Sequence, residues 1–257
     1  EEEVEYAKRL ANALYRKENI LNNNFTVVVT YDCNFRCPYC FEKGIKKDTT
    51  TFTKEMTDKL YKTILEIAPE KKLRNNTIVL YGGEPLLKEN KKAVTYLVAK
   101  GKELGFKFSA ITNGYDLDCY EDLLGPDSIC SVQISVDGLP ERHNQQRKHK
   151  LGIPTFEKII QNIGIALKKK TEVHIRINTN RHNIKEIEKL QELLSSFHDD
   201  KLLSLHAAMI QDFSSTEPSK ENISVEDFIN KTSKIKGIEV CNNFGVIRKI
   251  SAAIKNN

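Results

Sequence analysis

Three cysteines, Cys33, Cys37 and Cys40, fall within eight positions in YDCNFRCPYCFE, a C-x3-C-x2-C spacing. Thiolates this close on one short stretch bind metal more readily than they pair as disulfides. No fourth Cys or His stands near enough in the sequence to close a set of four. Structural zinc asks for a second ligand pair at a definite spacing, whereas an iron–sulfur cubane held by three cysteines leaves one iron open to a small chelating ligand. Burial of small apolar cysteines without metal is the remaining reading of the same residues.

Other chemistry-bearing residues follow apolar runs. Gly82 and Gly83 let backbone approach a ligand closely and Glu84 offers an acceptor for an ammonium, although GGEP is also a tight turn. Ser135 and Asp137 in QISVDG can bond a ribose, or simply cap a helix. Thr112, Asn113 and Gly114, with Arg176 and Asn178 in RINTN, can line a substrate pocket or serve turns. The six histidines form no plausible triad, and Cys119 and Cys130 read as small hydrophobes or free thiols.

The elements that must position these residues alternate along the chain. A leading helix over 2–17 is followed by strands at 25–31, 77–81, 107–112, 130–136, 172–178 and 202–208. Helices are expected at 54–67, 91–104, 156–169, 184–197 and 225–235. Repeated β-α units with near-continuous apolar strands imply an α/β fold, a partial (β/α)6 TIM-like barrel with a leading N-terminal helix. In such a barrel active residues lie at strand C-terminal ends, where CNFRCPYC, GGEP, TNG, SVDG and RINTN all fall. The domain boundaries are 1–24 for the helical extension, 25–236 for the barrel and 237–257 for the start of a further extension.

With Tyr39 completing C-x3-C-x-aromatic-C, the sequence resembles the radical S-adenosylmethionine superfamily over residues 25–210. The resemblance implies that Cys33, Cys37 and Cys40 hold a [4Fe–4S] cluster whose open iron binds S-adenosylmethionine. Reductive cleavage there would give a 5′-deoxyadenosyl radical that abstracts a substrate hydrogen. It also implies that GGE contacts the methionine amino group, that Ser135 and Asp137 meet ribose or carboxylate, and that Arg147 meets that carboxylate. The YGGEPLL, TNG and SVDG set resembles the peptide- and sulfatase-maturase branch, whose cysteine-rich SPASM-type extension holds auxiliary clusters. Cys241 is the candidate first ligand of such an extension, most of which this sequence does not contain.

Composition bounds the rest. A net charge of +5 is modest, and the one dense basic stretch, ERHNQQRKHK, lacks interleaved aromatics, which argues against nucleic acid. No apolar run approaches the roughly 20 residues of a membrane span, and no secretory signal opens the chain, so the expected compartment is cytoplasmic. The start without Met suggests a piece of a longer chain. The expected activity is hydrogen abstraction from a precursor peptide or protein, installing a crosslink such as a thioether, with a flavodoxin or ferredoxin as reductant. Formylglycine formation by a sulfatase-type maturase is the near alternative, and a non-catalytic iron–sulfur scaffold or electron carrier the alternative of another class.

Overall fold

Runs such as TVVVT, TIVLY and VHIRINT carry β-branched residues that suit a strand buried on both faces, and a parallel sheet under helices provides that environment. The computed structural model describes residues 5, 23–43, 50–197, 201–210 and 221–241. The leading helix expected over 2–17 lies outside them, Glu5 apart. Strands β1 (Asn23–Thr30), β2 (Arg74–Gly82), β3 (Lys107–Thr112), β4 (Ile129–Ser135), β5 (Glu172–Thr179), β6 (Leu203–Met209) and β7 (Ile238–Cys241) form one sheet in chain order. Every neighbouring pair is parallel. Among the described residues β1 and β7 are unpaired edges, so the sheet is an open, partial barrel.

The sequence pattern predicts six strands, and the structure has a seventh. Residues 238–241, expected to begin an extension, pair with β6 as a strand of the same sheet. Four residues after Gly237, a left-handed position at φ 74°, are too few for alternation to register.

Helices α1 (Lys54–Ile67), α2 (Lys91–Glu103), α3 (Pro140–Gln146), α4 (Phe156–Lys168), α5 (Ile187–Leu194) and α6 (Val225–Thr232) join the strands. Thr53 caps α1, its hydroxyl accepting from the Met56 N–H at 3.2 Å, and Thr57, Tyr61 and Ile64 form the buried stripe. Ser224 caps α6 in the same way, accepting from the Asp227 N–H at 3.1 Å. Helix α3 escaped the periodicity because its seven residues bury His143 and Gln146 rather than an apolar face.

Strand β5 shows how the sheet divides its side chains. Val173, Ile175 and Ile177 are fully buried with Ile159, Ile163, Ile187 and Leu190 of the covering helices. Their alternates His174, Arg176 and Asn178 are half-buried, and Arg176 and Asn178 reach the cavity described below. The sheet thus keeps an apolar outer face under helices and a more polar inner one, which a strictly two-residue period enforces.

Gly101 in α2 lies where a Cβ would meet the Phe108 ring and the Tyr61 hydroxyl, each at 2.4 Å. Alanine in place of a helix-interior glycine ordinarily gains up to about 1 kcal/mol. Overpacking a core costs about 1–3 kcal/mol, and here it is the larger effect. Gly101→Ala is therefore expected to lower the urea midpoint with an unchanged slope. A raised midpoint would contradict this packing.

Candidate functional site

The cysteine loop is held at both ends by backbone. At its start the Gly83 N–H donates to Thr30 O at 2.9 Å and the Glu84 N–H to Asp32 O at 2.8 Å. A Cβ on Gly83 would lie 2.4 Å from Asp32 O, and one on Gly82, at φ 137°, 2.1 Å from Thr30 O. Glycine is needed at both positions because the end of β2 packs directly on the root of the loop. Further along, Arg36 N–H donates to Lys148 O and Lys150 N–H to Asn34 O, both at 2.7 Å, around an antiparallel bridge of Phe35 and His149. The stretch after α3 thereby becomes the second wall of the loop.

Glu84 is buried and points inward. Its carboxylate accepts from the Leu86 N–H at 2.9 Å, the Thr112 hydroxyl at 2.6 Å and the Asn113 N–H at 2.6 Å. Burial pushes it up to about 7, against the pull of these donors. Asn113 passes the connection on, its Nδ2 donating to Asn34 Oδ1 at 2.7 Å, while Asn34 donates to Asp116 at 3.2 Å. The same carboxylate thus ties the ends of β2 and β3 to the cysteine loop.

A second buried network meets the loop from the other side. The Tyr39 hydroxyl donates to Asp137 and accepts from Arg147 Nη1 at 3.0 Å. Asp137 also accepts from the Asn178 N–H at 2.9 Å and Asn178 Nδ2 at 3.2 Å, and Arg176 Nε donates to Asn178 Oδ1 at 2.9 Å. Burial raises Asp137, with Arg147 pulling it back. Burial works against the Arg147 charge, yet Tyr39, Cys37 and Asp137 hold its titration well above the usual range. Behind Asp137, buried His143 accepts the Asp137 N–H at 3.3 Å, and burial pushes its titration down to about 3, so it is neutral.

Between the two networks lies a cavity of about 460 Å³ lined by Cys33, Cys37 and Cys40 with Tyr39, Gly82, Gly83, Ser135, Arg147, Arg176 and Asn178. Thr112, Asn113 and Gln133 join them, whereas Glu84, Asp137 and Gly114 do not line it. Cys119 and Cys130 are absent from its walls, and Cys241 ends β7 opposite Ala208 with its side chain outside the described residues. The sequence reading missed Asn34 and Asp116 and an apolar wall of Met209, Ile210, Val225, Phe228 and Ile229, while His143, read as structural or solvated, is buried. Only the Asn inside C-x3-C hinted at the first of these.

The residues present fit a cluster held by three cysteines. Among the described residues no three His, Cys, Asp or Glu side chains are arranged to hold one metal ion, yet the three thiols share one cavity. Buried Arg147 Nε has no partner there and is a donor left over for an anionic group. Burial and then the Glu84 carboxylate push the Cys33 thiol up to about 12, and burial raises Cys37 also. Free, both are neutral at pH 7, and since metal-bound thiols are deprotonated, loading must release protons.

Comparison with known proteins agrees with this chemistry. The sequence profile described as the Radical SAM superfamily matches residues 27–194. A Methanocaldococcus jannaschii protein provisionally described as a glycyl-radical enzyme activating enzyme is 27% identical over 176 residues, covering 66% of this chain and 62% of its own length. An S-adenosylmethionine-dependent nucleotide dehydratase of Psychrobacter lutiphocae is 26% identical over 199 residues, covering 74% of this chain and 65% of its own. A cysteine-type anaerobic sulfatase-maturating enzyme of Clostridium novyi is 28% identical over 165 residues, covering 62% and 44%. The chain thus spans less than two thirds of the length of these relatives. Among solved structures, anSMEcpe with bound AdoMet and Kp18Cys peptide aligns with TM-score 0.63 and 22% identity over 81% of this chain and 57% of that one. Streptococcus suis SuiB bound to precursor peptide SuiA aligns with TM-score 0.61 and 13% identity over 97% and 56%. Both show the same fold.

Glu84→Gln separates a structural from a ligand-binding role. The amide turns an N–H toward one of three donors, which costs about 1–3 kcal/mol. A lower urea midpoint is expected. An unchanged midpoint with weakened S-adenosylmethionine binding would show that Glu84 contacts the ligand instead.

Proposed function

The chain belongs to the radical SAM superfamily, and on that premise we propose that it abstracts a hydrogen atom from a residue of a bound peptide, installing a crosslink such as a thioether. Cys33, Cys37 and Cys40 would hold a [4Fe–4S] cluster, which with S-adenosylmethionine supplies, when bound, the one-electron sulfonium cleavage that generates a 5′-deoxyadenosyl radical. The observation that carries this reading is that all three thiols open on one cavity whose other wall holds a buried, partly unpartnered guanidinium.

The chain's own residues bind and orient. Arg147 offers its free donor to the methionine carboxylate, and Tyr39 and Asp137 fix that guanidinium from behind. The close-packed Gly82 and Gly83 bring the backbone of β2 to the cavity wall, where its carbonyls would accept from the methionine ammonium. Ser135 and Asn178 present hydroxyl and amide groups for the ribose. Buried Phe228 and the more exposed Val225 and Ile229 give the same cavity an apolar surface for the substrate side.

A peptide is favoured as substrate by the likeness of the barrel to two structures solved with peptides bound. Formylglycine formation is the second reading, favoured by the sulfatase-maturating relative. Cys241 would be a first ligand of an auxiliary cluster.

After anaerobic reconstitution, dithionite and S-adenosylmethionine are expected to yield 5′-deoxyadenosine by chromatography, and Cys37→Ala to abolish it. No product from fully loaded protein, or undiminished product from the variant, would overturn the reading. With a Cys-containing peptide, loss of two hydrogens with a new intramolecular thioether supports crosslinking. Conversion of one Cys to an aldehyde supports the second reading.

A further inference from the structure

The basic stretch ERHNQQRKHK is divided in two by the fold. Arg147 turns into the cavity and His149 is buried against Phe35, edge-on at 6.0 Å, while Lys148 and Lys150 remain exposed. The bridge to the cysteine loop then sets these two lysines beside exposed Arg36, which stands between Cys33 and Cys37 in the chain. Arg36 donates to Cys33 O and Phe35 O, both at 2.7 Å, and so is fixed on the loop itself. Among the described residues none of the three cations has a carboxylate within ion-pair distance. Next to them Leu151 and Ile153 are 72% and 42% exposed, an apolar spot beside a positive rim.

Resting on the function proposed above, we infer that this rim is where an acidic one-electron carrier protein docks. One electron leaves the reduced carrier and enters the cluster, so the carrier must approach the outer face of the cysteine loop. Three cations on that loop and the adjoining stretch, unpaired among the described residues, attract an acidic surface, raise encounter rates and orient the carrier toward the thiols. Aliphatic Leu151 and Ile153 supply contact once the charges have aligned the pair.

The test uses reconstituted holoenzyme with the double variant Lys148→Glu/Lys150→Glu. A second pair, Lys102→Glu/Lys168→Glu, changes net charge equally at helix ends on the opposite rim of the barrel. Each is assayed for 5′-deoxyadenosine with an acidic flavodoxin reduced by NADPH and flavodoxin reductase, and separately with dithionite. Binding of oxidised flavodoxin is measured alongside by biolayer interferometry. At low salt the 148/150 variant is expected to lose about tenfold in flavodoxin-supported rate and in flavodoxin binding, with the dithionite rate unchanged. The native difference should shrink as salt screens it. Unchanged flavodoxin rate and binding in that variant, or an equal loss in the 102/168 pair, would overturn the docking surface. Absence of product with dithionite in the native protein would sink the proposed function instead, and the binding arm would still decide the docking.

Discussion

The Glu84 carboxylate is the constraint on which the site depends. It is buried, and its three donors come from its own turn and from the end of β3. Through Asn113 and Asn34 the same connection reaches the cysteine loop. A buried carboxylate is costly unless nearly every lone pair is used, and that cost is what makes the arrangement specific. With β2 and β3 locked together at their C-terminal ends, the loop after β1 has one place to lie, across two glycines that no side chain could replace.

The second half of the barrel meets this corner with a different device. Strands β4 and β5 send inward-facing polar residues to the cavity, and Arg176 and Asn178 bond one another there. Asp137 takes bonds from Tyr39 and from both nitrogens of Asn178, while Arg147 keeps one donor free. A guanidinium that cannot shed its charge and lacks a full set of acceptors is poised for an anion. The outer continuation of the same segment, Lys148 to Lys150, carries charge of the same sign to the surface, so one short stretch of chain serves both the inside and the outside of the site.

Much of the barrel was legible in the sequence because its signals are local. The helix at 54–67 has its boundaries written in a Thr cap and an apolar stripe, and β5 alternates without interruption. The spacing of the cysteines is local too, and so is their position after a strand. What could not be read was direction. Glu84 and Asp137 look equally available to a ligand in GGEP and SVDG, and only the packing of β2 on β3 and of Tyr39 on β5 turns both inward. Helix α3 and strand β7 were too short for periodicity, and the apolar wall of α6 shares the cavity with the cysteines only through the tertiary fold, which no spacing records.

The central claim is that three thiols hold a cluster with one iron left for a small ligand. Mössbauer spectroscopy of iron-57-reconstituted protein, with and without S-adenosylmethionine, tests it most directly. About four irons per chain are predicted, with one iron site shifting alone when S-adenosylmethionine is added. Spectra unchanged by the ligand in fully loaded protein, or stoichiometric binding of zinc with no iron–sulfur signal, would contradict it.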